Sequence, residues 1–255
     1  MSESVRAVER ALAVLSCFNN QTPELTLTQI SELVGINKST VHRLLATLEK
    51  NRFLERDSQT GIYRPGIRLL QLAHLALENY DLRRVAEPFL QLLCDLHREN
   101  VNLSILDGAD VVYLDVIESP QRVKLAAETG QRLPASCTAS GKALLAFLPE
   151  EAIQKVLDHG LQRYTQQTLI NAKAFQEDME ITRGQGYAIS EQEFEDGINA
   201  IAAPIFNSTH HPIASVSVAG PAYRLPRERM AEISPSLLDT ANKIAQEINR
   251  AARLD

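Results

Sequence analysis

The stretch from Asn37 to Lys50 brings hydroxyl groups, one imidazole and several cations together in one short segment. Its apolar residues recur at i, i+3, i+4 and i+7, and this spacing predicts a helix with one buried stripe. The polar side chains then lie on the opposite side and its flanks, with no acidic residue before Glu49. A slim helix with donors for base edges and phosphates is what the major groove of DNA admits. An ordinary solvated helix would look the same, so the neighbouring elements must decide.

A short helix and a tight turn precede this stretch. Thr26 begins a capping box with Gln29, and Gly35 fits the left-handed end of the helix that follows. Asn37 then caps the next helix. A short helix, a glycine turn and a helix with a polar outer face predict a helix-turn-helix. A further helix over residues 4–18 is predicted before it.

The turn-rich residues 57–61 separate two short runs that predict a β-hairpin with Arg56 and Arg64 near its base. A hairpin in this position is a wing, which can lie along the minor groove or the phosphate backbone. The alternative is a hairpin that only packs the small domain. The residues expected at base edges are Ser39, Thr40, His42 and Arg43. The predicted DNA-binding residues as a whole are Thr28, Lys38, Ser39, Thr40, His42, Arg43, Thr47, Lys50, Arg56 and Arg64.

The distribution of charge limits this interpretation. The net charge of the chain is −6. Residues 1–65 carry 8 basic and 7 acidic side chains, whereas residues 66–255 carry 18 and 25. The first domain therefore has an excess of one positive charge, so that only a local basic face could serve DNA. We expect paired half-sites to supply the affinity.

Composition indicates an ordinary globular protein, 44% hydrophobic and 23% charged. No apolar run approaches the ~18 residues of a membrane span, and the first residues lack the pattern of a secretory signal. The three cysteines, Cys17, Cys94 and Cys137, are far apart. They predict free thiols in a reducing compartment, so we expect a cytoplasmic protein with no membrane partner.

A mostly apolar helix follows the boundary at Pro65-Gly66. Its apolar excess is unlike that of a helix that stands alone in water. We therefore predict a linker helix over residues 66–80 that is buried against a second copy of itself in a homodimer. The predicted domains are a winged helix-turn-helix over residues 1–65, this linker and a larger domain over residues 81–255.

The larger domain alternates between helical and strand-like periods. Helices are predicted over residues 81–99, 141–147, 149–157, 174–183, 227–233 and 235–250. Strands are predicted over residues 101–105, 111–117, 123–126, 187–190, 198–206 and 212–219. Six strands in hairpins with helices at both ends predict an α+β domain rather than a doubly wound sheet.

Candidate catalytic groups are weak. Ser140-Gly141-Lys142 lacks the earlier glycine and the final hydroxyl residue of a phosphate loop, and no nucleophile elbow surrounds a serine–lysine pair. His210-His211 lies in a turn, and the acidic cluster over residues 191–196 has no histidine at metal-ligand spacing. We predict no enzyme, no metal and no cofactor. Two rivals remain: a metabolite-binding enzyme with an accessory helix-turn-helix, and a protein-interaction module that borrows the winged fold.

Three blocks in order give the chain a resemblance to the IclR family of bacterial transcriptional regulators. The first runs over residues 27–31 into 37–45, the second over 133–145, and the third over 197–204 followed by 215–221. The resemblance implies a homodimer, often paired into a homotetramer, on a near-palindromic double-stranded operator. It also implies a GAF-like second domain that binds a small effector, commonly a carboxylic acid from a catabolic pathway, in a regulator such as a repressor.

The resemblance also implies where the effector binds. The corresponding wall residues are Leu125, Ala139, Ser140, Ser190, Ile198, Ala200, Ser217 and Ala219. Members that bind small oxo-acids tend to carry an acid, Cys and Ser at the positions of Ser190, Ala200 and Ala219. We therefore predict a larger or less polar effector, such as an aromatic or sugar-derived acid, held partly by Ser140 and Ser217. The alternative is that these residues only pack the core.

Overall fold

The computed structural model describes residues 5–19, 21–78 and 81–251. They fall into two compact units, Met1–Asn79 and Tyr80–Asp255. The first unit contains α1 (Arg6–Leu15), α2 (Leu27–Val34), α3 (Lys38–Lys50), β1 (Leu54–Arg56), β2 (Tyr63–Pro65) and α4 (Ile67–Glu78). The predicted linker helix corresponds to α4, and residues 79 and 80 lie outside the described residues. None of the described helices has the length and apolar character needed to cross a bilayer.

Local signals for the helix-turn-helix are confirmed. The backbone N–H of Thr26 donates to Gln29 Oε1 at 2.8 Å, and the N–H of Gln29 donates to Thr26 Oγ1 at 3.3 Å. Gly35 ends α2 with a φ of +64°, a conformation that a residue with a side chain adopts only under strain. Asn37 caps α3 by accepting from the N–H of Thr40 at 2.9 Å.

The first helix is shorter than predicted. Residue 4 lies outside the described residues, and α1 ends at Leu15 rather than at residue 18. The chain turns there because Thr22 Oγ1 donates to the carbonyl of Cys17 at 2.8 Å, and the backbones of Asn19 and Thr22 pair with each other. The hydrogen bond from Thr22, a residue that lies beyond the predicted helix, therefore helps to end the helix.

The core of the first unit joins its helices to the hairpin. Val41 and Leu45, on the apolar stripe of α3, are fully buried together with Val14, Ile30 and Leu54. Burial of each such aliphatic side chain contributes roughly 1.5–3 kcal/mol. The stripe fixes which side of α3 faces inward, and the opposite side is left exposed.

The second unit is an antiparallel sheet covered by helices. Its elements are α5 (Asp81–His97), β3 (Asn100–Asp107), β4 (Asp110–Ile117), β5 (Arg132–Pro134), α6 (Ala139–Leu145), α7 (Glu150–His159), α8 (Ala172–Gln185), β6 (Ala188–Glu191), β7 (Ile198–Phe206), β8 (Pro212–Pro221) and α9 (Arg227–Ala251). The strand order is β5-β4-β3-β8-β7-β6. This confirms an α+β domain.

The two faces of this sheet differ in character because successive side chains of a strand point to opposite sides. Val101 and Leu103 of β3 face the apolar core formed with α5 and α9, as do Val216 and Val218 of β8. The other face, which packs against α6, carries small and polar residues. Those on β3 and β8 are Asn102, Ser104, Ser215 and Ser217, all buried.

The predicted strand over residues 123–126 is wrong. The segment is an irregular connection between β4 and β5. The sixth strand of the sheet is instead β5, where Leu133 pairs with Val111. Side chains, rather than a neighbouring strand, donate hydrogen bonds to the backbone carbonyls of this segment. Arg224 Nη2 donates to the carbonyl of Val123 at 2.8 Å, and Asn100 Nδ2 donates to that of Leu125 at 3.3 Å.

The two predicted C-terminal helices, over residues 227–233 and 235–250, form one helix, α9, which contains Pro235. A proline inside a helix removes the N–H that would donate to the carbonyl four residues earlier. That carbonyl belongs to Ala231, and Ser234 Oγ donates to it at 2.9 Å instead. The neighbouring serine therefore lets the helix continue through the proline.

Candidate functional site

The outer face of α3 is built as predicted. Its buried stripe leaves Ser39, His42 and Arg43 exposed, with Thr40 half-buried beside them. Lys38, Thr47, Lys50 and, on α2, Thr28 are also exposed. In the part of the chain that the structure describes, no acidic side chain forms an ion pair with Lys38, Arg43 or Lys50. Their charge is therefore free to meet an anion.

A groove of about 560 Å³ lies between α1 and α3. Arg10 of α1 lines it together with His42 and Arg43 of α3. Sequence reasoning missed Arg10, although its place on α1, four residues before the buried Val14, indicates a side chain at the edge of the buried stripe. The groove adds a cation next to the predicted base-reading residues.

The two wing arginines have different surroundings. Arg64 Nη2 lies 3.2 Å from Glu55 Oε2, and the two residues face each other across the hairpin. The guanidinium of Arg56 lies 5.7 Å from the ring centroid of Tyr63. Both arginines are exposed, but the charge of Arg64 is partly neutralised by its neighbour.

The second unit contains a cavity of about 340 Å³ between the polar face of the sheet and α6. It lies within the size range of small-molecule sites. All eight residues predicted for the effector line it: Leu125, Ala139, Ser140, Ser190, Ile198, Ala200, Ser217 and Ala219. The structure thus brings together side chains that are up to 94 positions apart in the sequence.

Ten further lining residues were missed: Tyr113, Lys124, Ala126, Ala127, Gln131, Leu133, Cys137, Thr138, Phe194 and Glu195. The alternation of β4 could have indicated Tyr113, since it points to the same side as the buried Val111. Phe194 and Glu195 lie in the connection between β6 and β7, where no periodic signal exists.

The polar groups of the cavity are arranged in pairs. Asn102 Nδ2 donates to Ser217 Oγ at 3.4 Å, and Ser104 Oγ donates to Ser140 Oγ at 3.3 Å. Ser190 Oγ donates to the carbonyl of Cys137 at 3.0 Å. Serine hydroxyls that already accept one hydrogen bond keep a proton to donate elsewhere.

Burial fixes the protonation of two lining groups. It raises the pKa of Tyr113 to about 12, so the phenol keeps its proton at neutral pH. Burial, assisted by the negative charge of Glu193, likewise raises the pKa of Cys137 to about 12. A thiol that stays protonated is a poor nucleophile, so Cys137 behaves as a small wall residue.

Lys142 is held by carboxylates rather than by Ser140. Its Nζ lies 2.5 Å from Glu193 Oε1 and 2.9 Å from Asp178 Oδ2. The hydroxyl of Ser140 is bonded to Ser104 instead. This arrangement does not activate a serine nucleophile, which requires a base next to the hydroxyl.

Histidine and acidic groups of the described residues form no candidate metal site. Within residues 5–19, 21–78 and 81–251, no group of three His, Cys, Asp or Glu side chains is placed to hold a metal ion. The ring of His210 stacks on that of Phe206, with centroids 4.3 Å apart. All three cysteines are free.

Two family models match the chain in succession. The IclR helix-turn-helix domain matches residues 7–58, and the bacterial transcriptional regulator IclR C-terminal domain matches residues 74–246. The first match spans α1 to α3 and β1, the first strand of the hairpin. The second covers the cavity.

Known proteins with similar sequences are regulators. The HTH-type transcriptional regulator XynR of Escherichia coli K12 is 34% identical over 91% of this chain and 93% of its own length. The HTH-type transcriptional repressor AllR of the same strain is 31% identical over 98% and 93%. KipR of Bacillus subtilis, also a transcriptional regulator, is 31% identical over 97% and 99%.

Solved structures agree with these matches. An IclR transcriptional regulator from Alicyclobacillus acidocaldarius is 28% identical, with a TM-score of 0.86 over 96% of this chain and 99% of its own. An IclR homologue from Microbacterium hydrocarbonoxydans, complexed with 4-hydroxybenzoate, is 28% identical, with a TM-score of 0.84 over the same shares. The chain belongs to the IclR family of bacterial transcriptional regulators.

Proposed function

We propose that this regulator binds a near-palindromic operator of a catabolic operon through α3 and the wing, and that an organic acid in the cavity of the second unit controls this binding. The observation that carries the proposal is the exposed face of α3. It presents hydroxyls, an imidazole and cations that have no acidic partner in the described chain. Such a face suits a major groove, whose bases offer acceptors and whose edges are lined with phosphates.

The residues divide by role. Ser39, Thr40, His42 and Arg43 contact base edges, while Lys38 and Lys50 at the two ends of α3 contact phosphates. Arg56 and Arg64 contact the backbone beside the wing, and Thr28 and Thr47 flank the recognition helix. A bidentate arginine–guanine contact provides about 1–3 kcal/mol of discrimination, which makes Arg43 the main specificity residue.

The size and lining of the cavity support an aromatic or sugar-derived acid as effector. Small side chains at Ser190, Ala200 and Ala219 leave room, and Leu125 and Ile198 supply apolar contact. A family member bound to 4-hydroxybenzoate supports an acid of this size. We infer that such a ligand occupies the cavity, with Ser140 and Ser217 at its polar end and Ala139 next to Ser140 in the wall.

Exposed apolar side chains support a homodimer. Val8 and Leu12 of α1 are more than half exposed, and so is Leu70 of α4. Ile67 of α4 is nearly half exposed. Exposed apolar patches of large area mark protein–protein interfaces, among other sites. A second copy of the chain covers these side chains here, and the dimer presents two recognition helices to two half-sites. Pairing of dimers then gives the tetramer.

The site of action follows from the partner. Operator DNA of a bacterium lies in the cytoplasm, so the regulator acts there. We propose that neither a cofactor nor a metal takes part in either kind of binding. The relatives named above are regulators and repressors, which supports a non-enzymatic role.

A gel-shift assay on the DNA upstream of the chain's own gene tests the proposal. We expect a retarded band that weakens steeply with salt and responds to at least one catabolic acid. Arg43→Ala should weaken the preference for this DNA. Glu87→Ala, a change on the exposed side of α5 in the other unit, is the matched control and should leave the band unchanged. The absence of a salt-dependent band would support a protein-interaction module instead.

A further inference from the structure

We propose that Asn102 and Ser104, two buried residues of β3 behind the cavity wall, orient the hydroxyls of Ser217 and Ser140 as hydrogen-bond donors into the cavity, and that these donors select a hydroxylated organic acid. The inference deepens the proposed function and rests on the effector role of the cavity. Asn102 and Ser104 are positioning residues, since they are not among the residues that line the cavity.

The pair formed by Asn102 and Ser217 carries most of the inference. The two residues are register partners on neighbouring strands, and both are buried. An amide Nδ2 has two protons and no lone pair, so it can only donate. Ser217 Oγ therefore accepts at 3.4 Å, and its own proton has no other acceptor among the described residues. That proton is left for a ligand in the cavity.

The same arrangement recurs two residues further along β3. Ser104 is fully buried, and its Oγ donates to Ser140 Oγ at 3.3 Å. Ser140 consequently keeps its proton for the cavity as well. Because Asn102 and Ser104 point to the same side of one strand, both donors are aligned from the same rigid element.

Ser190 has the opposite polarity. Its hydroxyl proton is used by the carbonyl of Cys137 at 3.0 Å, so the oxygen offers lone pairs to a ligand. These two donors, together with the acceptor at Ser190 and the protonated phenol of Tyr113, fit a molecule that carries both a carboxylate and a hydroxyl group. Of the charged lining residues, Lys124 is paired with the exposed Glu118, and Glu195 is an anion.

The amide of Asn102 is poorly explained by stability alone. Its Oδ1 is buried without a hydrogen-bond partner among the described residues. An apolar side chain of similar shape would avoid the loss of solvation that an unpaired buried acceptor suffers. A role in orienting Ser217 accounts for a polar residue at this position.

Calorimetry on the full chain with two pairs of probes tests the ligand class: 4-hydroxybenzoate against 4-hydroxybenzamide, and gluconate against gluconamide. At least one acid should bind, and should bind at least about tenfold more tightly than its amide, a difference of about 1.4 kcal/mol. Failure of both acids to bind, or binding of an amide as tightly as its acid, would overturn the inference. Operator binding measured on the same sample reports separately on the proposed function.

A double-mutant cycle tests the positioning role. Asn102→Leu should weaken binding of the preferred acid about tenfold in the wild-type background, but have no further effect in Ser217→Ala. Ser215→Ala, buried on the same face of β8, is the matched control and should leave binding unchanged. If Asn102→Leu does not fold, Asn102→Asp is put through the same cycle. Losses that add in the double mutant would mean a merely structural role and would overturn the assignment.

Discussion

Lys142 Nζ lies 2.5 Å from Glu193 Oε1, and the lysine side chain is only 1% exposed. Lys142 follows Ser140 on α6, and Glu193 precedes Phe194 in the connection after β6, so the ion pair joins two walls of the cavity. Asp178 of α8 adds a second carboxylate at 2.9 Å. One cation cannot fully compensate two anions, of which Glu193 is buried and Asp178 is partly exposed.

The first prediction concerns the pH dependence of stability. Burial raises the pKa of Glu193 from 4.5 to about 7, against the opposing effect of Lys142. The folded chain therefore binds this proton more tightly than the unfolded chain does. The resulting stabilisation amounts to at most about 3 kcal/mol. It is fully present below about pH 4.5 and is lost as the pH rises through 7.

Urea unfolding of the wild type and of Glu193→Gln between pH 5 and pH 8 measures this effect. The free energy of unfolding of the wild type should fall relative to that of the variant as the pH rises. A difference that stays constant over this range would contradict a raised pKa.

The second prediction concerns Gly141 of α6. A Cβ at this position would lie 2.2 Å from the backbone Cα and carbonyl oxygen of Ala135. Gly141→Ala should therefore lower the free energy of unfolding by about 1–3 kcal/mol or more, since backbone cannot move aside cheaply. It should also weaken effector binding, because α6 carries Ser140.

Gly184→Ala in α8 is the matched control. A Cβ there meets nothing within 4 Å, and alanine favours a helix by up to about 1 kcal/mol. It should therefore stabilise the second unit. Chemical denaturation of both variants compares them, and equal effects of the two substitutions would refute the packing argument at Gly141.

The third prediction concerns the wing. Glu55→Gln removes the carboxylate that lies 3.2 Å from Arg64 Nη2 and leaves the arginine free to contact phosphate. DNA affinity should rise. The slope of log K against log salt concentration should steepen by up to the amount that about one additional phosphate contact contributes. Glu118→Gln, which frees Lys124 in the other unit, is the control. An unchanged salt slope for Glu55→Gln would place the wing away from the phosphates.

The fourth prediction concerns self-association. Leu12→Asp or Leu70→Asp puts a charge on the apolar surface of α1 or α4, where burial in a dimer would be costly. Light scattering should give a dimer or tetramer for the wild type at micromolar concentration and a smaller species for either variant. Ile181→Asp, at an exposed position of α8, should leave the mass unchanged. A wild-type monomer would contradict the dimer.

The helix-turn-helix could be predicted because its signals are local. Thr26 and Gln29 cap α2 within three residues, and Gly35 and Asn37 define the turn before α3. The strand predicted at residues 123–126 was wrong for the opposite reason. Alternation of side chains does not reveal that Asn100 and Arg224, distant in sequence, occupy the carbonyls of this segment.

The cavity was only partly predictable. Its eight predicted wall residues came from the resemblance to a family rather than from periodicity. Tyr113 was missed, although the alternation of β4 places it beside Val111. Asn102 could not have been found from sequence alone, since its bond to Ser217 depends on the pairing of β3 with β8.

The most direct test of the central claim is the specificity ratio of Arg43→Ala. Fluorescence anisotropy would measure the affinity of the wild type, Arg43→Ala and Lys50→Ala for an operator duplex and for a scrambled duplex. Arg43→Ala should lose about 1–3 kcal/mol on the operator alone, which reduces the ratio, whereas Lys50→Ala should weaken both duplexes alike and flatten the salt dependence. An Arg43→Ala variant that keeps the wild-type affinity and ratio would contradict α3 as the recognition helix.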